Sequence, residues 1–401
     1  MRSGSEFMLS AAGVKTVAMS WIQEHLQFED YKRKCSAGMI LSVLLFAAVR
    51  VRSISDACAR LTRAPSDETF RKALAASLPE QHQLESRLNK ALSDRLPKNF
   101  FKSKRGKRVA IDLTLIPDHG EPAREEREIR RSQPKQGTTH FHAYATAYIV
   151  HSGERFTIAM TAVLGDESVK DVLQRLLWEI RRIGIKVRVL LVDKEFFNVD
   201  VVRYLQAAKC PFVVPAFARG RKPKVLRAGS LHAYAASKRS GWGAYSWKNK
   251  DGKRASVKIA IVCRNYRGQR ERHGRRTQLY AYWGVSPGTV RWVWKTYRLR
   301  FGIESSYRQL NECRIRTSTR EPVLRLLYVG IAILLRNIWV WCHLNWLAMR
   351  HGRAIALQLN VMRLREMTLW IEQLIIEEFG LVTQKTVSTK PKPATTTGPP
   401  I

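Results

Sequence analysis

The chain has 401 residues, and its 70 Lys plus Arg against 33 Asp plus Glu give a formal net charge of +37. With 45% hydrophobic and 26% charged residues it has the composition of a globular protein of two or three domains, which excludes a fibrous or wholly disordered chain. The charge excess asks for a polyanionic partner, nucleic acid first and an anionic membrane surface second, because phosphates compensate it and release counterions.

Six cysteines (Cys35, Cys58, Cys210, Cys263, Cys313, Cys342) are scattered with no Cys-x-x-Cys pair. That pattern argues against a disulfide framework or structural zinc and fits a cytoplasmic protein. Residues 1–7, ahead of Met8, read as an expression-vector scar. Residues 8–100 have helical periodicity, with an apolar helix over Gly38–Val49 and a shorter one over Ser53–Leu61. Thr62-Arg63-Ala64-Pro65 breaks the pattern, and Ser66 is placed to cap a further helix whose first turn holds Asp67 and Glu68. Helix, turn and capped helix suit a DNA-binding domain of the helix-turn-helix type, and also suit a plain helical bundle. The apolar runs Met39–Val49 and Leu326–Leu335 fall short of the roughly 20 residues that cross a bilayer, so no membrane partner is expected.

Residues 101–218 change period. The basic stretch Lys102–Arg108, with Lys104 and Arg105 as candidate DNA contacts, leads into Val109–Ile116, a β-branched strand with Asp112 in its middle. A carboxylate there is costly unless it is paired or binds a metal. Thr138–Val150 and Arg155–Val163 read as strands, Ser168–Ile183 as an amphipathic helix, and Lys186–Val192 as a buried strand ending at Asp193. A helix over Asn198–Ala208 and a strand over Phe212–Pro215 follow. The order is that of an α/β sheet with ligands at strand ends. Residues 219–284 read as a basic β-rich insertion: between Arg219 and Arg276 there are 18 Lys or Arg against Asp251 and Glu271. Its aromatics Trp242, Tyr245 and Trp247 argue against disorder.

Within 285–336, the stretch Trp294–Asn311 reads as one helix that sets Tyr297, Arg300, Glu304 and Asn311 on one stripe. A stripe made only for packing would be apolar. An apolar helical segment from Val323 to about Met349 and a helix near Val361–Glu378 make a C-terminal helical region, 337–382. The Thr-, Lys- and Pro-rich tail, 383–401, reads as disordered.

Asp112, Asp193 and Glu304 stand out as oxygen ligands suited to Mg2+ or Mn2+. An Asp at a strand end is more often a cap or turn former, so the signal lies in the three together. Two such ions roughly 4 Å apart activate the attacking oxygen and stabilise the leaving one in phosphoryl transfer. The flanking acids Asp118 and Glu195 rank lower, and His140 and His142 read as structural.

From Lys107 to Arg336 the chain resembles DDE transposases of the prokaryotic insertion-sequence superfamily, whose catalytic helix carries Y-x(2)-R-x(3)-E-x(6)-K. Tyr297, Arg300 and Glu304 match that signature, the first acid lies in AIDLTLIPD and the second in VLLVDKEFFN. The resemblance implies an α/β fold with a ribonuclease-H-like core, interrupted by a β-rich insertion before the third acid. It implies Mg2+ held by Asp112, Asp193 and Glu304, with Mn2+ able to substitute. It further implies cut-and-paste movement of a double-stranded DNA element with inverted terminal repeats, by a homodimer and, in some members, through a hairpin intermediate. In that family the signature Tyr and Arg grip phosphates near the element end. The final Lys falls at Asn311, where either Arg308 or Arg314 would supply the charge or the contacts to the strand end differ. Trp242, Trp247, Trp283 and Trp292 are candidates to stack on a flipped base, a contact worth about 1–3 kcal/mol. A metal-dependent DNA nuclease and a non-catalytic transposase-derived regulator are the alternatives.

Overall fold

The computed structural model describes residues 9–384 apart from 103, 121–125, 152–153, 222, 269–272, 348 and 352–353. The expected scar over 1–7 and almost all of the expected disordered tail over 383–401 lie outside the described residues.

The N-terminal part is helical: α1 (Ala11–Leu26), α2 (Ala37–Arg50), α3 (Ile54–Arg60), α4 (Asp67–Ser77) and α5 (Gln81–Asp94). Serine hydroxyls start four of them, since Ser10, Ser36, Ser53 and Ser66 each accept a hydrogen bond from a first-turn amide. Ile40–Val49 of α2 are buried all round, so α2 is the core of a bundle.

Mixed strands follow: β1 (Lys107–Pro117), β2 (Arg130–Lys135), β3 (Thr138–Ile149) and β4 (Thr157–Val163), then α6 (Val169–Arg182), β5 (Val187–Val192), α7 (Val199–Ala207) and β6 (Phe212–Ala216). After α8 (Leu231–Ala236) come β7 (Gly241–Lys248), β8 (Arg254–Arg267) and β9 (His273–Trp283). All nine form one sheet, in the order β2-β3-β1-β5-β6-β9-β8-β7, with β4 also on β3. β1, β5 and β6 are parallel, and the β3 and β4 pairings are antiparallel. The strands of 219–284 therefore extend the central sheet, because β9 pairs antiparallel with β6 over Phe212↔Trp283 to Ala216↔Leu279.

The two sheet faces carry different layers. One presents Ile111, Leu190, Val192 and Ile259 to the large core that also takes in α5, α6 and α7. The other presents Ala110, Tyr148, Leu191, Val213, Ala260 and Tyr282 to α9 (Val290–Arg298) and α10 (Phe301–Asn311). The chain then enters α11 (Pro322–Cys342), a short hairpin of β10 (Met349–His351) and β11 (Ala354–Ala356), and α12 (Leu364–Phe379). By length and composition Pro322–Leu347 could cross a membrane, unlike the shorter run read from sequence. Its most apolar 18-residue window is 89% buried, though, and the helix is the one against which α1, α5 and α10 pack. α12 packs on α1 and α2, so the two ends of the chain share one helical bundle, and the Arg50–Glu372 ion pair ties them.

The stripe helix expected over Trp294–Asn311 is instead two helices, α9 and α10, meeting at Leu299 and Arg300. Across the junction the amides of Leu299, Arg300, Gly302 and Ile303 bond three residues back rather than four (3.2, 2.9, 3.0 and 2.8 Å). Both junction residues stay in the right-handed helical region, so the winding tightens without the chain turning away.

Candidate active site

Alternation along a strand and pairing between strands bring the two aspartates together. β1 and β5 run parallel with Ile111 opposite Val192, so Asp112 and Asp193 are the next residues on neighbouring strands. They share the parity of Ala110 and Leu191 and therefore face α9 and α10. Asp193 follows the last strand residue and leads into a short 3-10 turn, Lys194–Phe196.

α10 supplies the third acid, and one guanidinium joins all three. Arg300 Nη1 donates to Asp112 Oδ2 at 2.7 Å and Nη2 to Glu304 Oε1 at 2.9 Å, while Nη2 lies 3.7 Å from Asp193 Oδ1. Its Nε donates to the Tyr297 hydroxyl at 3.0 Å. The offsets of three and four residues from Tyr297 to Arg300 to Glu304 survive the change of helix because the junction stays helical. Arg300 is only 5% exposed. Burial opposes its charge, yet Asp112, Tyr297, Asp193 and Glu304 outweigh burial and raise its pKa. Asp112 moves the same way for the opposite reason. Burial pushes its carboxyl up to about 6, Arg300 offsets part of that, and the negative charge of Asp193 adds to it. Burial likewise raises the Tyr297 hydroxyl.

Tyr307 belongs to the site as well, although it lies outside the Tyr-Arg-Glu signature. Its hydroxyl donates to the backbone carbonyl of Asp112 at 2.8 Å and lies 2.8 Å from Thr146 Oγ1, the residue paired with Asp112 on β3. Burial keeps this hydroxyl protonated. Tyr307 thus pins the helix of the third acid to the strand of the first. Its place three residues after Glu304, on the adjoining stripe, was the available signal.

Asp112, Asp193 and Glu304 offer only carboxylate oxygens around one cationic position, a donor set that fits Mg2+ or Mn2+. Those oxygens do not all lie within 4.8 Å of one another, and the Arg300 guanidinium stands between them.

The other expected site residues spread outward. Arg308 and Asn311 are exposed on α10, and Arg314 Nε donates to Asn311 Oδ1 at 3.4 Å, so a guanidinium does stand beside that position. Lys104 and Arg105 are exposed at the entrance to β1. Trp242 is 47% exposed and touches Tyr282 edge-on, whereas Trp247 packs between Tyr245 and Phe197 at 5.3 and 4.9 Å. Asp118 faces Arg325 at 3.6 Å and His142 at 3.8 Å, away from the acid cluster. Glu195 is exposed on the 3-10 turn.

A family model described as a transposase DDE domain matches residues 103–338, more than half of the chain. The chain belongs to the DDE transposase domain family. No curated protein matches it. Among solved structures it is similar to a piggyBac transposase, seen by cryo-electron microscopy as a synaptic complex with hairpin DNA, at 10% identity and a TM-score of 0.49 over 93% of this chain and 80% of that one. The matched span takes in both aspartates and the α9–α10 pair, and so encloses the whole Arg300 cluster.

Proposed function

We propose that this DDE domain makes the protein a DNA transposase of the prokaryotic insertion-sequence type, acting in the cytoplasm as a homodimer on paired element ends. The observation that carries the reading is the convergence of Asp112, Asp193 and Glu304 on one guanidinium. Carboxylates 81 and 111 positions apart that converge on one buried guanidinium, with the Asp112 carboxyl pushed up by burial, make the kind of perturbed acid cluster from which functional sites are built. The sheet order β4-β3-β1-β5-β6, antiparallel strands followed by parallel ones, supports the ribonuclease-H-like core that the resemblance implies.

In this reading Asp112, Asp193 and Glu304 hold Mg2+, with Mn2+ able to substitute. When bound, the ions supply Lewis-acid activation of the attacking oxygen and charge stabilisation of the leaving one. The chain's own residues position the strand. Arg300, with its planar fork, grips a phosphate at the element end, and the Tyr297 hydroxyl adds a hydrogen bond. Asn311 with Arg314 takes the part of the signature Lys, and exposed Trp242 is the Trp best placed to stack on an unpaired base, as a hairpin intermediate requires.

The test is Asp193→Ala on DNA carrying the element ends. Cleavage and joining in Mg2+ should vanish while DNA affinity stays within about twofold, because the basic surface is untouched. A variant that still cleaves would sink the active-site assignment. Cleavage by the wild type without joining of the cut end to a target duplex would replace the transposase reading by that of a nuclease.

A further inference from the structure

Two buried arginines flank α10, and they are compensated differently. Arg300 meets three carboxylates. Arg336 of α11 is 3% exposed and donates only to neutral acceptors: Gln309 Oε1 at 3.1 Å, the Arg155 carbonyl at 2.7 Å and the Tyr148 hydroxyl at 2.6 Å. The side chain also lies over the Tyr148 ring, 4.9 Å from its centroid. Among the described residues no acid forms an ion pair with it, and burial lowers its pKa with no carboxylate to oppose that. A buried cation held only by neutral groups is an electrostatic debt that an anion would settle.

Arg336 lines a cavity of about 370 Å³ between α10, α11 and the segment leading into α12. Arg155, Arg363 and Arg365 also line it, and Glu312 is the one acid there, so four guanidiniums face one carboxylate. Arg155 and Arg363 are exposed and form no ion pair among the described residues, while Arg365 donates to the Val49 carbonyl at 3.2 Å. The α10 residues on this wall, Gly302, Ser305 and Gln309, sit roughly 100–160° around the helix from Glu304. The cavity is thus separate from the acid cluster and about one helix diameter away from it.

We propose that this cavity is a second DNA-binding site. It takes a backbone phosphodiester, gripped by Arg155 and Arg363 from the rim while Arg336 supplies charge from the floor. The assignment rests on the DNA-transposase reading above. Guanidinium forks match phosphate oxygens in pairs, which suits a rim of arginines better than a diffuse basic surface.

The test uses the full chain with Arg155→Gln and Arg363→Gln combined. Both side chains are exposed, so the melting temperature without added anion should be unchanged. Binding of a duplex oligonucleotide is followed by fluorescence anisotropy over a NaCl series, and melting is followed over an inorganic phosphate series at constant ionic strength. The expected result is a salt slope smaller by about 2 in the double variant, with any stabilisation by phosphate lost. An unchanged slope overturns the proposal while leaving the transposase reading standing. Loss of phosphate stabilisation with an unchanged slope also overturns it, and assigns the cavity to a small free anion. A wild type that binds no duplex defeats the underlying reading, and this proposal with it. Should the double variant fail to fold, Arg363→Gln alone decides, at about one unit of slope.

Discussion

At the residue scale, Arg300 is the cation around which the three acids are arranged. Arg300→Met leaves Asp112 buried beside Asp193 with no counterion. Breaking such a buried pair costs about 3–5 kcal/mol. Glu304 and Asp193 are 44% and 34% exposed at their side chains, so solvent screens their share, and the expected loss is about 3 kcal/mol, mostly at Asp112. Urea unfolding in EDTA measures it. Mg2+ should then raise the melting temperature of the variant more than that of the wild type, since the competing guanidinium is gone; equal shifts would mean that Arg300 and the ion do not share a position. His142 gives a pH prediction. Burial, and then Arg325, lower its pKa from 6.5 to about 4, against the pull of Asp118. A depressed folded-state pKa means that the unfolded chain takes up the proton first as pH falls. Stability is therefore full above about 6.5 and declines, by up to about 1.4 kcal/mol per pH unit, as pH falls toward 4. His142→Gln should flatten that part of the stability profile, and an unchanged slope would place the acid sensitivity elsewhere. The acids and Arg300 were legible in the sequence because each stands out against a local pattern: an acid in a β-branched strand, an acid at a strand end, a polar stripe on a helix. Arg336 was not, because in a run of apolar helix it looks like an interruption, and its acceptors are a distant amide, hydroxyl and carbonyl.

At the scale of elements, the stripe of Tyr297, Arg300, Glu304 and Asn311 was read as one helix, and the structure divides it. Sequence spacing measures residues per turn and cannot register a shift from four-residue to three-residue bonding, since both keep the side chains close to one face. Besides the apolar packing and Arg300, Tyr307 ties α10 to the sheet through a carbonyl 195 positions away, a bond with no signature in local periodicity. Tyr307→Phe keeps the ring and removes the hydroxyl, leaving the Asp112 carbonyl without that donor in a buried place. The expected cost is about 1–3 kcal/mol in urea unfolding, together with a fall in cleavage rate larger than the fall in DNA affinity. If cleavage and binding fall together, Tyr307 is only packing. The bundle has its own close approach. A Cβ on Gly330 of α11 would lie 2.5 and 2.7 Å from the two Cδ atoms of Leu88 on α5. Leu88 is fully buried, so Gly330→Ala should destabilise the protein by about 1–3 kcal/mol despite the better helix propensity of alanine.

For the whole molecule, the decisive geometry is that one sheet face carries both aspartates and runs on into the basic strands. From Ala110 and Leu191 the parity passes through Val213 and Tyr282 to Lys258 and Ala260, and then to Ala244 and Trp242. The sequence showed a basic, aromatic segment between the second and third acids but not that it continues the same sheet. Strand pairing across 60 or more residues is set by register and packing, not by composition. α9 covers part of this face, with Arg264 stacked on Trp294 at 3.7 Å; beyond it Lys248, Arg254 and Lys258 are exposed, with Lys248 paired to Arg254 across the strands. The register sets Lys258 level with Ala110, two residues short of Asp112, and Lys248 and Arg254 four residues further from the acids, so a duplex lying on this open face would meet the three cations in a line that leads toward the cluster. Replacing all three by Gln leaves the buried face of β7 and β8 intact, so the melting temperature should move little. The slope of log affinity against log salt for duplex DNA should shrink by about 3 if each cation releases a counterion. Cleavage per bound complex should be unchanged, since none of the three touches the acids. A slope that stays put would mean that the duplex approaches from another side, and that the shared sheet face is a consequence of folding rather than the route by which DNA reaches Asp112 and Asp193.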